Sequence, residues 1–196
     1  MRRSYDRIAP SYNRSRGTGP KWQDRVLSRF IRFLPPGGRV LDLGCGVGIV
    51  LKHFHANGFR VAGIDQSPKM VQFARRRVPQ AALFCRNMVN PGFKAGSFDG
   101  IISQYAVIHV PQASQPEVFR HMYRLLAPGG YALFNLCDGA TEEVGEWDGE
   151  YLYWSGTSLP ESFRRIRRAG LRILWHQGLG PRGDHHTWIF ARKPRE

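Results

Sequence analysis

From Lys21 to Leu34 the chain reads KWQDRVLSRFIRFL. Trp22, Val26, Phe30 and Phe33 fall at helical spacing, and the Pro35-Pro36-Gly37-Gly38 run stops the helix. RVLDLG (39–44) then reads as a short buried strand. After Gly48, IVLKHFHANG reads as a helix that ends at Gly58. FRVAGID is a second strand. Ser67-Pro68 opens the next helix, because Ser suits the N-cap and Pro the first turn. AALFCRN and SFDGIISQY follow as third and fourth strands, QPEVFRHMYRLLAPGG as a glycine-stopped helix, and YALFNLC as a fifth strand. Strands alternating with helices predict parallel βαβ units in a doubly wound sheet. The end of the chain departs from that rhythm. After the helix SLPESFRRIRRAG, capped by Thr157 or Ser158, LRILWHQGL and HHTWIFARK are two strands with no helix between them, and they should pair antiparallel. The expected fold class is α/β: a Rossmann-like doubly wound sheet with helices on both faces, formed by residues 1–196 as one domain.

Composition narrows the function. A length of 196 residues suits one domain with a full core. No stretch approaches the roughly 18 apolar residues of a membrane span. MRRSYDRIAP is basic with no apolar run after it, so no secretory signal is expected and a cytoplasmic location is. Cys45, Cys85 and Cys137 form no CxxC pattern, which suits a reducing compartment and argues against a cysteine metal site; no metal is expected. The net charge of +14 would attract nucleic acid or an anionic surface, or simply keep the protein soluble. Against that basic background, EEVGEWDGE (142–150) holds five of the chain's 15 acids and runs straight into YLYW.

The strongest chemical signal is VLDLGCGVGI (40–49). A strand that ends in a glycine loop before a helix presents free backbone N–H groups, and glycine lets a ligand approach that backbone closely. The spacing Gly44-Cys45-Gly46-Val47-Gly48 is GxGxG, not the GxGxxG of a dinucleotide pyrophosphate site. Asp42 stands two residues before the loop, where a carboxylate would repel a pyrophosphate and attract an ammonium. Asp65 ends the second strand, where a carboxylate can accept from both ribose hydroxyls. The two acids together describe a nucleoside with an amino-acid tail, such as S-adenosylmethionine (SAM).

At these residues the chain resembles the class I SAM-dependent methyltransferases. VLDLGCGVGI is similar to their first motif, VAGIDQS with Met70 to the second, RNMVNPGFKAGSFDGIISQYAVIHV to the third and fourth strands, and LLAPGGYALF to the fifth-strand motif. YDRIAPSY resembles the leader of the small-molecule branch that includes the quinone C-methyltransferases. The resemblance implies a seven-stranded sheet of order 3-2-1-4-5-7-6 with strand 7 antiparallel. It implies SAM as cofactor and S-adenosylhomocysteine (SAH) as product. It places Gly44, Cys45 (through its backbone), Gly46 and Gly48 on the methionine and ribose portion. Asp42 would be near the methionine amino group, or would hold the glycine loop. Asp65 would bind the ribose, and Gln66 and Met70 would pack on ribose and adenine, Met70 being otherwise helix core. Asn87 stands where many members carry Asp. Its side-chain oxygen can still accept from the adenine amino group, without the charge. Met88 would offer backbone and apolar contact to adenine. Gln104 and Tyr105 would face the methionine end and the reacting methyl. Tyr5 and Tyr12 would close over SAM, or pin the leader to the core.

Methyl transfer from a sulfonium is an in-line displacement that rests on positioning, and a base is needed only where the acceptor has a proton to lose. His109, in YAVIHV, is the expected catalytic base beside Tyr105; the alternative is an orienting or packing role. His185 and His186 sit in the terminal hairpin loop. Trp147, Tyr151, Tyr153 and Trp154 would form an aromatic wall for the acceptor. With the neighbouring acids it would favour a cation or amine, unless those acids are solvated or pair with Arg164, Arg165, Arg167 and Arg168. The leader and 138–157 would form a lid. The first expected function is methyl transfer to nitrogen, oxygen or carbon of a small molecule, by a monomer or homodimer. A nucleic-acid methyltransferase is the second reading and a non-catalytic SAM-binding partner subunit the third. A NAD-dependent oxidoreductase is disfavoured by GxGxG.

Overall fold

The computed structural model describes residues 1–15, 21–178 and 186–195, with side chains in the second helix from Arg25 onward. The Trp22 side chain and His185 therefore lie outside the described residues. In chain order the elements are α1 (Arg2–Ser15), α2 (Lys21–Ile31), β1 (Arg39–Leu43), α3 (Ile49–Ala56), β2 (Arg60–Asp65), α4 (Pro68–Arg77), β3 (Ala82–Cys85) and β4 (Phe98–Ser103). A single 3-10 turn (Val107–His109) then precedes α5 (Gln115–Leu125), β5 (Leu126–Asp138), β6 (Thr141–Trp147), β7 (Glu150–Thr157), α6 (Leu159–Arg168), β8 (Arg172–Gly178) and β9 (His186–Arg192).

Strands β3-β2-β1-β4-β5 run parallel in that order. β9 adds antiparallel to β5, and β8 adds antiparallel to β9. This is the expected 3-2-1-4-5-7-6 arrangement, with β9 and β8 in the places of strands 7 and 6. β1 is buried from Val40 to Leu43 because its two neighbours and the helices on both faces exclude water. One face of the sheet packs Leu41, Phe119, Met122 and Phe134, and the other packs Phe30, Phe54, Val71 and Trp188. Each fully buried Phe or Leu contributes about 1.5–3 kcal/mol relative to exposure.

Two expectations are corrected. The sheet has nine strands among the described residues, because 141–157 folds as a hairpin. β7 pairs parallel with the far end of β5 at Cys137↔Gly156 and Asp138↔Thr157, and β6 pairs antiparallel with β7. Asp148 (φ 52) and Gly149 (φ 76) make the two-residue turn; positive φ at both positions matches the right-handed strand twist. Second, α5 stops at Leu125 and does not reach the glycines, since Leu126 and Tyr131 already pair with β4.

The polar leader folds as α1. Its inner side packs Ile8 and Ala9 on Val47 and Met70. The chain thus returns over the carboxyl ends of the parallel strands, where doubly wound sheets carry their ligands.

Candidate functional site

The glycine loop is built from backbone. Gly44 N–H and Cys45 N–H both donate to Ile64 O, at 2.8 and 2.9 Å, tying the end of β1 to the end of β2. Gly44 (φ 86), Gly46 (φ 50) and Gly48 (φ 83) are all left-handed, but they serve different neighbours. A Cβ on Gly44 would lie 2.3 Å from the Ala106 Cβ, and one on Gly48 would meet Ala74 of α4 at 3.1 Å. A Cβ on Gly46 would meet nothing within 4 Å and would project into open space. Within this loop, then, Gly46 alone borders space free of described protein atoms, although its left-handed φ by itself favours glycine.

The two acids are held differently. Asp65 accepts from Gly46 N–H and Ser67 N–H, each at 2.9 Å, so it braces the loop and the start of α4 with one carboxylate. Burial nevertheless pushes its pKa up to about 6, against those two hydrogen bonds. Asp42 is 2 % exposed, and its Oδ1 has no hydrogen-bond partner among the described residues. Burial, and then the Asp65 charge, raise it to about 8. The Cys45 thiol is raised by burial and by both acids. A buried carboxylate with one oxygen left unbonded among the described residues, beside a glycine loop, needs a cation or a proton.

A cavity of about 350 Å³ opens at this point. Of the residues expected to hold the cofactor, Tyr5, Tyr12, Gly44, Gly46, Asp65, Gln66, Met70, Asn87, Met88 and Gln104 line it, together with Tyr105 and His109. Asp42, Cys45 and Gly48 do not. Asp42 and Cys45 are buried behind the loop, with the Cys45 amide already bonded to Ile64, and Gly48 admits α4. Asn87 Oδ1 accepts from Val89 N–H at 3.0 Å, so one of its acceptor sites holds the local turn. The cavity also takes in Arg86, Val89, Ala106, Val110, Pro111 and Ser114, which the sequence reading did not single out. Most of these flank Asn87–Met88 or His109, so extending each motif by one turn would have found them.

α1 roofs the cavity. Its Asp6 carboxylate accepts from Ser67 Oγ–H at 2.6 Å, fastening it to α4. On the other side Ser11 Oγ–H donates to Asp148 at 2.7 Å and Arg7 pairs with Glu150. Beneath it Tyr5 and His109 meet. His109 Nδ1 lies 2.7 Å from the Tyr153 carbonyl, which can only accept, so Nδ1 carries the proton. Nε2 is then a lone pair, and it accepts from the Tyr5 hydroxyl at 2.7 Å. Burial lowers the His109 pKa to about 4, outweighing the carbonyl that favours the charged ring. The imidazole is neutral throughout the physiological range.

The aromatic wall is a correction. Trp147, Tyr151, Tyr153 and Trp154 lie outside the cavity lining. Side chains alternate along a strand, so Tyr151 and Tyr153 point to one face of the hairpin and Trp147 and Trp154 to the other, and the four form no single wall. Trp147 packs on Tyr12, Tyr151 is 68 % exposed, and the Tyr153 hydroxyl turns outward to Glu142. Trp154 stands 5.9 Å from the His109 ring, behind it. Nor do the acids pair with α6. Arg164 and Arg165 pair with Glu161, while Glu150 and Asp148 hold α1 and Glu142 holds Gln112 and Tyr153. Among the described residues no cluster of three or more metal-ligating side chains occurs, and no helix is long and apolar enough to cross a membrane.

These features fit SAM: a bare backbone at Gly46, and a buried acid with an open acceptor atom behind it. Comparison with known proteins agrees. Malonyl-[acyl-carrier protein] O-methyltransferase of Erwinia pyrifoliae is 33% identical over 144 residues, 72% of this chain and 53% of that protein. Demethylmenaquinone methyltransferase of Symbiobacterium thermophilum is 29% identical over 176 residues, 82% of this chain and 67% of that one. A tRNA (carboxymethyluridine(34)-5-O)-methyltransferase of Xenopus tropicalis is 34% identical over 158 residues, 79% of this chain but 23% of that one. The chain spans about half the length of the first curated relatives it matches. Burkholderia thailandensis 1,6-didemethyltoxoflavin-N1-methyltransferase, solved with its acceptor and SAH, has the same fold, with TM-score 0.70 and 18% identity over 89% of this chain and 77% of that one. Residues 15–189 match the model of the methyltransferase domain family, and the chain belongs to that family.

Proposed function

We propose that the methyl acceptor is a small molecule taken up between the glycine loop and His109. The observation that carries this reading is the roof. α1 spans from α4 to the β6–β7 hairpin and leaves a closed-over cavity, with Tyr5 and Tyr12 lining it from above. A polynucleotide would need that roof removed. The demethylmenaquinone relative points the same way, the acyl-carrier-protein relative acts on a protein-borne group, and the tRNA-modifying relative keeps the nucleic-acid reading as the alternative to test.

In this reading Gly44 and Gly46 give the donor bare backbone, Asp65 takes its ribose, Asp42 supports its amino group from behind the loop, and Gln66, Met70, Asn87 and Met88 hold adenine. SAM supplies a methyl group on a sulfonium whose departure leaves a neutral thioether. The chain supplies alignment and exclusion of water. Where the acceptor has an O–H or N–H to lose, the Tyr5 oxygen takes that proton while its own passes to His109 Nε2, with Nδ1–H steadied by the Tyr153 carbonyl. His109 thus acts through Tyr5, not directly. Among the described residues no carboxylate lines the cavity around Tyr5 and His109, which favours neutral acceptors over cationic ones.

The test is calorimetry with SAM and SAH on wild type and Asp65→Ala, followed by SAH release from a panel of phenols and amines. Binding lost in the variant and turnover of panel members support the reading. Turnover only with RNA, together with an affinity for RNA that falls steeply with salt, would replace it.

A further inference from the structure

Asparagine is out of keeping in the middle of β5. Asn135 is 0 % exposed, sits between Phe134 and Leu136, and pairs with Trp188 across β9. Its Oδ1 accepts from the Tyr105 backbone N–H at 2.6 Å, and its Nδ2 has no hydrogen-bond partner among the described residues. A half-satisfied buried amide is unfavourable and needs a reason.

Tyr105 supplies it. Its φ of 51 is left-handed, a region an aromatic L-residue enters only when its surroundings force it. The strained residue stands where β4 ends and the chain turns toward His109. The next residue, Ala106, packs so closely on the glycine loop that Gly44 has no room for a Cβ. The Ala106 carbonyl then accepts from His109 N–H at 3.1 Å, starting the 3-10 turn. One bend therefore closes against the donor loop, lines the cavity with Gln104, Tyr105 and Ala106, and sets the base of His109.

We infer that Asn135 is a positioning residue. Its carboxamide oxygen holds Tyr105 in the left-handed conformation and so fixes the donor wall and His109 together, from outside the cavity. The inference rests on the reading of this cavity as the donor site. It goes beyond a core role, because an apolar residue would fill the same space and leave the Tyr105 N–H without an acceptor.

The experiment measures SAH affinity by calorimetry for wild type, Asn135→Leu, Tyr105→Gly and the double variant. Glycine adopts a left-handed φ without a clamp. Asn135→Leu is expected to weaken SAH about tenfold in the Tyr105 background and less than about threefold in the Tyr105→Gly background, a coupling only interacting sites show. Equal factors in the two backgrounds, or no loss in the first, would overturn the inference. If Asn135→Leu does not fold, Asn135→Ser, whose shorter side chain cannot reach the Tyr105 amide, is judged by the same comparison. Wild type that binds neither SAM nor SAH would instead overturn the donor-site reading on which this one depends.

Discussion

Asp42 gives the sharpest quantitative expectation, because its burial makes the fold pH-dependent. Its carboxyl is raised from 3.8 to about 8, by burial first and Asp65 second. A raised folded-state pKa means the folded protein binds the proton more tightly than the unfolded chain does. The associated stability is therefore fully present below the unfolded value, near 4, and is lost as pH rises through about 8. Each pH unit in that window removes about 1.4 kcal/mol, so pH 5 to 7 removes about 3 kcal/mol, a large fraction of the stability of an ordinary domain. Asp65, raised to about 6, adds in the same direction over a shorter window. Asp42→Asn removes the titration and keeps the shape. Urea unfolding of both proteins without ligand, at pH 5, 6, 7 and 8, should show the variant gaining about 1 kcal/mol on wild type per unit. SAH should reverse the logic. In the proposed donor site the ammonium near Asp42 would draw its pKa down, so binding at pH 7 should release protons, read by calorimetry in buffers of different ionisation enthalpy, and Asp42→Asn should not. Parallel unfolding curves from pH 5 to 8 would refute the claim that burial raises the Asp42 carboxyl.

Other expectations follow from single contacts. Gly44→Ala drives a Cβ to 2.3 Å from the Ala106 Cβ and should lower the melting temperature and abolish SAH binding together. Gly46→Ala meets no protein atom, so its fold should survive at a loss of about 1 kcal/mol for the left-handed backbone while SAH binding is lost; calorimetry beside thermal melts separates the two. His109 should keep its Nδ1–H tautomer with no titration between pH 5.5 and 8, checked by 15N-histidine NMR; an imidazolium signal at pH 6.5 would contradict its lowered pKa. Tyr5→Phe should shift the Nε2 resonance and leave Nδ1 in place. In native protein iodoacetamide should alkylate the exposed Cys85 first and spare Cys45, whose thiol is buried and raised well above its ordinary value; mass spectrometry of the digest reads the order.

The sheet was legible because its signals are local and redundant. Parallel strands between two helical layers read as apolar runs, and some helix ends carried their own residue, such as Ser67, whose Oγ caps Met70 N–H at 3.1 Å, while α5 ended before its glycines. The hairpin at 141–157 was equally local yet unread. Its Asp148-Gly149 turn is among the clearest short hairpin signals, but the run of acids around it drew attention to charge instead of backbone. Four aromatics close in sequence then suggested a wall, although the alternation of a strand sends neighbours to opposite faces. The proposed donor half was readable in part, because Gly44 and Gly46 lie at one strand end and Asp65 at the next, although Asp42, Cys45 and Gly48 fall outside the cavity lining. The acceptor half was not, because it is assembled across the chain: Tyr5 from α1, His109 from a turn after β4, and the Tyr153 carbonyl from β7 meet through 2.7 Å bonds between residues 44 and 104 positions apart. The sequence supplied His109 as a base and Tyr5 as a lid residue. Their hydrogen bond makes one device of the two, and in the proposed function the tyrosine meets the acceptor while the histidine holds the lone pair. If that division holds, acceptor specificity in this protein is set largely by how α1 seats on the glycine loop and on the hairpin, and substitutions at Arg7 or Ser11, remote from the chemistry, should change which acceptors are used before they change donor affinity.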